Sequence, residues 1–360
     1  MLDKKVFMAG GGTGGHYFPA IAMAETFYRR GYKIYFFGTK YGIEAKLDFP
    51  FGEKYLYDIK GIVGKSKSEK IKNTAKLLKT AYQISKIIRK EQPQFALVFG
   101  GYASAPLGIA VKLTGTRLYI HEQNSIPSST NLLLSRLARK IFITFEYSFN
   151  HFPKKKTNLT GLPLRSLVKQ DKFISKNMAR KLLDIPHDKT VVLMFGGSQG
   201  AKKITEVGLE ISKRRKDLFF IIITGKNFKG VIDTDNIKSF EFVERIGLLY
   251  KASDIVICRS GAGTVSEILY YGKPTVFIPY PYAFKNHQYY NVKWLKDRGL
   301  AQIILDKDLN VNTLNNAINN YLSMNLEDLS KKLEYVSIQN SEMLIYENIT
   351  TDWLESLGTV

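Results

Sequence analysis

With 360 residues, the chain is long enough for two domains with separate cores. Its net charge of +21, from 53 Lys and Arg against 32 Asp and Glu, suits an anionic partner: nucleic acid, a membrane surface or a phosphorylated substrate. The single cysteine, Cys258, excludes a disulfide framework and a thiolate metal cluster. No apolar run is long enough to cross a bilayer or form a signal core, so a cytosolic protein with at most peripheral membrane contact is expected.

Short β-rich runs alternate with helical stretches. Residues 6–9 read as a strand, followed by the turn Gly10-Gly11-Gly12-Thr13-Gly14-Gly15-His16 and a helix over residues 19–30. Further strands are predicted at 34–37, at 95–99 running into Gly100-Gly101, at 118–120 running into His121-Glu122-Gln123-Asn124, and at 140–143. Bounded strands separated by helices predict a parallel sheet covered on both faces, with ligands beyond the C-terminal ends of the strands. Residues 69–91 have a helical period. Ile71, Ala75, Leu78, Tyr82 and Ser85 form one stripe, with Leu77, Ala81, Ile84 and Ile88 beside it. Residues 60–90 hold ten Lys and Arg and one acid, Glu69. Such a helix either packs on the sheet or docks on an anionic membrane through Ile71, Leu78 and Tyr82.

Lys154-Lys155-Lys156 and Gly161-Leu162-Pro163 read as a linker, after which the pattern restarts. Residues 190–195 enter Gly196-Gly197-Ser198-Gln199-Gly200-Ala201 and a helix to residue 216, and strands follow at 219–223, 239–243, 255–257 and 275–278. The expected fold is α/β, with two Rossmann-like doubly wound domains facing across a cleft. The first spans residues 1–161, with 339–360 packing back on it, and the second 162–338.

Gly10-x-Gly12-x-x-Gly15 has the dinucleotide-binding spacing. The end of the second strand, Gly38-Thr39-Lys40, offers no acid for a ribose, and the nearest is Glu44, which disfavours a nicotinamide enzyme. Gly64-Lys65-Ser66 ends like an ATP-binding loop but has Ile59 at the leading glycine position. His16, His121 and His287 are too dispersed for a zinc site, and Asp233-Thr234-Asp235 reads as a solvated turn, so no metal is expected. Arg259-Ser260-Gly261-Ala262-Gly263-Thr264-Val265-Ser266-Glu267 follows a strand and opens a helix. Small and hydroxyl residues there form an anion nest. Glu267, expected in the first helical turn, is suited to accept hydrogen bonds from a ribose diol, so a nucleoside diphosphate fits both features.

These motifs, in this order, resemble the MurG family of bacterial UDP-N-acetylglucosamine:N-acetylmuramyl-(pentapeptide) pyrophosphoryl-undecaprenol N-acetylglucosaminyltransferases. The matching residues are 11–16 with Pro19-Ala20, 121–124, Thr160-Gly161-Leu162-Pro163-Leu164-Arg165, 196–201 and 259–267. The resemblance covers about residues 6 to 300. It implies a GT-B glycosyltransferase that inverts configuration and needs no cofactor. Donor contacts are implied for Ser198, for Ala262, Gly263, Thr264, Val265, Ser266 and Glu267, for the backbone near Val243 at the uracil, and for Arg165 and Gln288. From the first domain it adds Thr13, Gly14, Gly15 and Asn124. The family often has paired glutamines where this chain has His287-Gln288. The acceptor side comprises Gly11, Gly12, His16 and Tyr102, with the glycine turn cradling the lipid diphosphate. His16 is the first candidate for the base that deprotonates the acceptor. Glu122 is either the base itself or the group that orients His16, and His16 alternatively caps the turn or binds acceptor phosphate.

The implied partners are UDP-N-acetylglucosamine, an undecaprenyl-linked muramyl-pentapeptide and an anionic membrane, with no nucleic acid. The implied location is peripheral, on the cytoplasmic side of the cell membrane. Two other readings remain: a sugar-nucleotide transferase acting on a diglyceride or soluble acceptor, and a non-enzymatic basic protein that binds nucleic acid through charge alone.

Overall fold

The computed structural model describes the chain except for residues 1–3, 62–65, 198–200, 226–227, 229–231, 357 and 359–360. It divides into two compact units, Met1–Arg165 with Asn340–Val360, and Ser166–Gln339.

The first unit is built on a seven-stranded sheet of β1 (Lys5–Ala9), β2 (Lys33–Thr39), β3 (Gly52–Tyr57), β4 (Phe95–Val98), β5 (Arg117–Glu122), β6 (Lys140–Ile143) and β7 (Thr157–Leu159). The order is β3-β2-β1-β4-β5-β6-β7, and every pairing is parallel. Parallel strands need crossovers, so helices cover both faces and the strands are apolar on both sides. In β1, Phe7 and Ala9 enter one layer with Tyr35, Val98, Ile84 and Ile88. Val6 and Met8 enter the other with Met23, Phe27, Ile345 and Ile349.

The second unit repeats the plan with β8 (Thr190–Phe195), β9 (Leu218–Ile223), β10 (Ile237–Phe240), β11 (Ile255–Cys258), β12 (Thr275–Phe277) and β13 (Gln302–Ile303), ordered β10-β9-β8-β11-β12-β13 and again all parallel. Strand order reverses at β1/β4 and at β8/β11, and a crevice opens beyond the carboxyl ends of the strands at such a switch point. The loops there include residues 10–13 and 99–101 in one unit and 196–197 and 259–261 in the other.

Several boundaries differ from the sequence reading. Helix α1 (Gly14–Tyr28) starts inside the glycine stretch rather than at Pro19, with Thr13 as extended N-cap. The strand expected over 239–243 is β10, three residues shorter at its C-terminal end. The linker residues Lys154–Lys156 form a 3₁₀ turn that feeds directly into edge strand β7.

Helix α2 (Lys67–Glu91) divides its apolar surface along its length. Ser66 and Glu69 form a reciprocal capping box, which gives the lone acid of this segment a structural role. Ala81, Ile84, Ser85 and Ile88 are buried on the side facing helix α3 (Ala105–Thr114) and the sheet. Ile71, Leu78 and Tyr82 are exposed, at 73%, 53% and 54%. The expected stripe therefore breaks at Ser85, which turns inward.

The helix Ser341–Glu355 returns to the first unit. Ile345 and Ile349 are fully buried, Tyr346 packs on Phe27, and the Asp352 carboxylate accepts from the Tyr119 hydroxyl at 2.6 Å and pairs with Arg139. Deleting buried methylenes here leaves a cavity, so Ile349→Ala is expected to lower the unfolding free energy by about 2–4 kcal/mol in urea titration, with an unchanged denaturant slope.

Candidate active site

The turn after β1 is built around a buried glutamate. Glu44 is fully buried, and its carboxylate accepts from Gly12 N at 2.8 Å, Thr39 N at 2.9 Å and Thr39 Oγ1 at 2.8 Å. A Cβ on Gly11 or Gly42 would lie within 2.6 Å of that carboxyl group, and one on Gly38 would meet the Glu44 stem at 2.6 Å. The nearest acid to the end of β2 thus faces inward and ties the glycine turn to β2. The N–H groups of Gly14 and Gly15, first in α1, have no protein acceptor among the described residues and sit at the positive end of that helix.

His16, half-buried in the first turn of α1, is held by the side chain of Gln123, the residue that follows β5. Its Nδ1 lies 2.8 Å from Gln123 Oε1. Gln123 Nε2 lies 3.1 Å from His121 Nδ1 and donates to His121 O at 3.0 Å, and His121 Nε2 lies 2.9 Å from Gly161 O. His121 and Gln123 are both fully buried. Burial pushes the His121 imidazole down from 6.5 to about 4, so it stays neutral.

Glu122, between them on the strand, is bound elsewhere. Its oxygens accept from Asn124 N at 2.9 Å, Ser128 N at 3.1 Å and Asn131 Nδ2 at 2.8 Å. Burial raises its pKa, offset in part by those donors and by the charge of His16. The hydrogen-bond partner that orients His16 is therefore Gln123 and not Glu122. Period-two alternation in a strand carried that signal, since residues 121 and 123 share a side.

Gly100 and Gly101, at φ +82° and +70°, let the β4 loop fit between these groups. A Cβ on Gly101 would stand 2.9 Å from Gly11 O and 3.1 Å from His16 Cδ2, and one on Gly100 would meet Asn131 Nδ2 at 2.9 Å. The Tyr102 ring lies beside Gly12. The Arg165 guanidinium stacks 4.1 Å from the Phe18 ring, and that ring lies against Gly14. Asn124 is half-buried in the loop after β5, where its carbonyl accepts from Ser148 Oγ at 3.0 Å. Thus Gly11, Gly12, Thr13, Gly14, Gly15, His16, Tyr102 and Asn124 share one sheet edge, while Ile71, Leu78 and Tyr82 belong to α2.

In the second unit the helix Ala262–Tyr271 begins at Ala262, with Gly261 as extended N-cap. Glu267 therefore lies in the second turn, a correction to its expected place, and is too far along for a direct capping role. Buried Tyr250 donates its hydroxyl to Glu267 Oε2 at 2.9 Å. Burial, then the Glu267 charge, pushes that phenol well above its ordinary range, which keeps it a donor. The N–H groups of Ala262 and Gly263 have no protein acceptor among the described residues, and a Cβ on Gly263 would meet nothing within 4 Å. Val265 is buried, and Thr264 and Ser266 are half-exposed. The Gln288 amide flanks Gly261 and accepts from Tyr280 N at 2.9 Å, while His287 Nδ1 bonds Phe284 O at 2.9 Å. Val243 is half-buried in the segment after β10. Ser198 lies outside the described residues. Among them, no group of three or more His, Cys, Asp or Glu could hold a metal ion.

The N-terminal domain profile of glycosyltransferase family 28 matches residues 6–143, and its C-terminal domain profile matches residues 191–345. The UDP-N-acetylglucosamine--N-acetylmuramyl-(pentapeptide) pyrophosphoryl-undecaprenol N-acetylglucosamine transferase of Sulfurihydrogenibium sp. (strain YO3AOP1) is 47% identical over 97% of this chain and 99% of its own. The protein of the same name from Aquifex aeolicus (strain VF5) is 37% identical over 96% and 99%. Among solved structures, Acinetobacter baumannii MurG superposes with a TM-score of 0.77 at 27% identity, over 97% of this chain and 99% of that one. The calicheamicin glycosyltransferase CalG4, at 12% identity and a TM-score of 0.70 over 99% of both chains, shares the GT-B fold.

The neutral state of His121 has a consequence in acid. Its folded pKa lies below its unfolded one, so between about pH 6.5 and 4 the unfolded chain binds more protons, and stability falls as pH drops through that window. The expected loss is on the order of 3 kcal/mol, read as denaturation midpoints against pH, and His121→Gln should flatten that part of the curve.

Proposed function

Since the chain belongs to the MurG family of glycosyltransferases, we propose that it moves N-acetylglucosamine from UDP-N-acetylglucosamine to the 4-hydroxyl of undecaprenyl-pyrophosphoryl-N-acetylmuramyl-pentapeptide, converting lipid I to lipid II in peptidoglycan synthesis. The observation that carries this reading is 47% identity over 97% of the chain to a transferase of that name. Purified protein given UDP-N-acetylglucosamine and lipid I should release UDP in step with lipid II formation. Turnover with diacylglycerol but not with lipid I would overturn the acceptor assignment.

The acceptor hydroxyl attacks the anomeric carbon, its bond to the UDP oxygen breaks, and the hydroxyl proton passes to a base. We assign that base to His16, at its Nε2. Its Nε2 has no hydrogen-bond partner among the described residues, whereas Glu122 has its oxygens engaged by three N–H donors. The diphosphate is assigned to the N-terminus of the helix Ala262–Tyr271, where unpartnered N–H groups meet the helix dipole and stabilise departing negative charge. Glu267 takes the ribose diol, Val243 backbone the uracil, and Ser198 and Gln288 further donor groups. Thr13, Gly14, Gly15, Asn124 and Arg165 are also assigned to the donor. Gly11, Gly12 and Tyr102 flank the acceptor, with Gly12 N itself taken by Glu44.

No helix among the described residues is long and apolar enough to cross a membrane. The exposed half of α2 is assigned to the membrane face. Ile71, Leu78 and Tyr82 supply apolar contact, and the lysines at 67, 70, 72, 79 and 86 supply attraction to anionic lipid at about 1 kcal/mol each. This favours a peripheral location on the cytoplasmic side of the cell membrane.

His16→Ala is expected to lower kcat by about 10²–10⁴-fold while UDP affinity stays within about twofold; a smaller loss removes His16 from the base role. The Ile71→Asp, Leu78→Asp double variant should lose binding to anionic liposomes in sedimentation while its melting temperature is retained, because both side chains are exposed. Unchanged liposome binding would reassign the membrane face.

A further inference from the structure

We infer that Gln123 is a positioning residue: with His121 it fixes His16 in the Nδ1–H tautomer and so presents the Nε2 lone pair as the proton acceptor. This rests on the assignment of His16 as base, but it is read from hydrogen-bond logic independent of that assignment. Two backbone carbonyls, which can only accept, anchor the chain of bonds. Gly161 O lies 2.9 Å from His121 Nε2, so that nitrogen carries the proton and His121 Nδ1 has the lone pair. A lone pair at His121 Nδ1, 3.1 Å from the Gln123 side-chain terminus, requires the amide nitrogen there. His121 O, 3.0 Å from the same terminal atom, requires it a second time. The amide oxygen must then face His16 Nδ1 at 2.8 Å, and an oxygen acceptor demands a proton on that nitrogen. His16 Nε2 is left as the basic atom, and among the described residues it has no hydrogen-bond partner.

The environment preserves this pattern. His121 and Gln123 are buried, so water does not compete for their bonds. Protonating His121 would put N–H against N–H at Gln123, and burial holds that ring neutral. Gly101 keeps space beside the outer edge of the His16 ring, since a Cβ there would stand 3.1 Å from Cδ2 and 3.5 Å from Nε2. An amide differs from a carboxylate in this position because it orients the ring without lending it a negative charge. It cannot take the proton onward, so a proton accepted at Nε2 stays on His16 until it leaves through the same nitrogen.

The experiment is ¹⁵N–¹H correlation spectroscopy of histidine-labelled protein above pH 7.5, with His16 signals assigned by their loss in His16→Ala. The expected result is a protonated Nδ1 and a bare Nε2 in His16, with a mixture or reversal in Gln123→Met. In turnover, Gln123→Met should lose about 10–100-fold in kcat with donor KM within about twofold. Gln123→Glu, which keeps an acceptor for Nδ1–H but turns an oxygen toward the His121 Nδ1 lone pair and the His121 carbonyl, should recover little of that loss. A dominant Nε2–H tautomer in the unmodified protein overturns the inference, as does full kcat in a folded Gln123→Met. If His16→Ala keeps its rate while the wild-type tautomer is as expected, the base assignment falls and the tautomer assignment stands.

Discussion

Strands β1, β4 and β5 lie side by side and run parallel, and that constraint governs the N-terminal site. Parallel neighbours send their C-terminal loops to the same edge, so residues 10–16, 99–102 and 121–128 have to share limited space. Glycines at 11, 100 and 101 are the steric answer, because a Cβ at any of them would come within 3 Å of a neighbouring group. The polar answer is equally restrictive. Buried side chains at such an edge need partners, and His121, Glu122, Gln123 and Asn131 find them in one another and in backbone groups.

The C-terminal unit meets the same constraint with different chemistry. Its switch-point loop between β11 and the helix Ala262–Tyr271 carries no bulky side chain at 261 or 263 and leaves N–H groups for a ligand. Glu267 projects from the second turn and is steadied by a buried tyrosine rather than by the helix end. One half therefore exposes N–H donors at a helix N-terminus, and the other sets an oriented imidazole beside one.

How much of this was legible in the sequence depended on burial. Central strands such as β1, β6 and β8 are continuous apolar runs and stood out. Three of the four edge strands did not: β3 is Gly-Glu-Lys-Tyr-Leu-Tyr, half-exposed and charged, and β7 and β13 have only three and two residues. Helix starts were misjudged where glycine fills them. Gly14-Gly15 and Ala262-Gly263 read as turns by propensity, yet both are helical because the preceding strand and the extended N-cap set the chain's direction. Of the site, His16 and the 121–124 cluster were visible as motifs. The roles of Gln123 and Glu44 were not, because each depends on a hydrogen bond across more than thirty residues of sequence.

Glu44 also makes the glycine turn hard to repurpose. Its carboxylate fills the volume that Gly11, Gly38 and Gly42 leave empty, and its charge is balanced by three donors from two loops. Removing the glutamate alone opens a void and strands those donors; adding side chains at the glycines alone collides with the carboxyl group. Four positions must therefore change together before this half could adopt another ligand preference. In evolutionary terms the loop is epistatically locked, and variation in what the N-terminal unit binds has to be sought in the exposed residues around it.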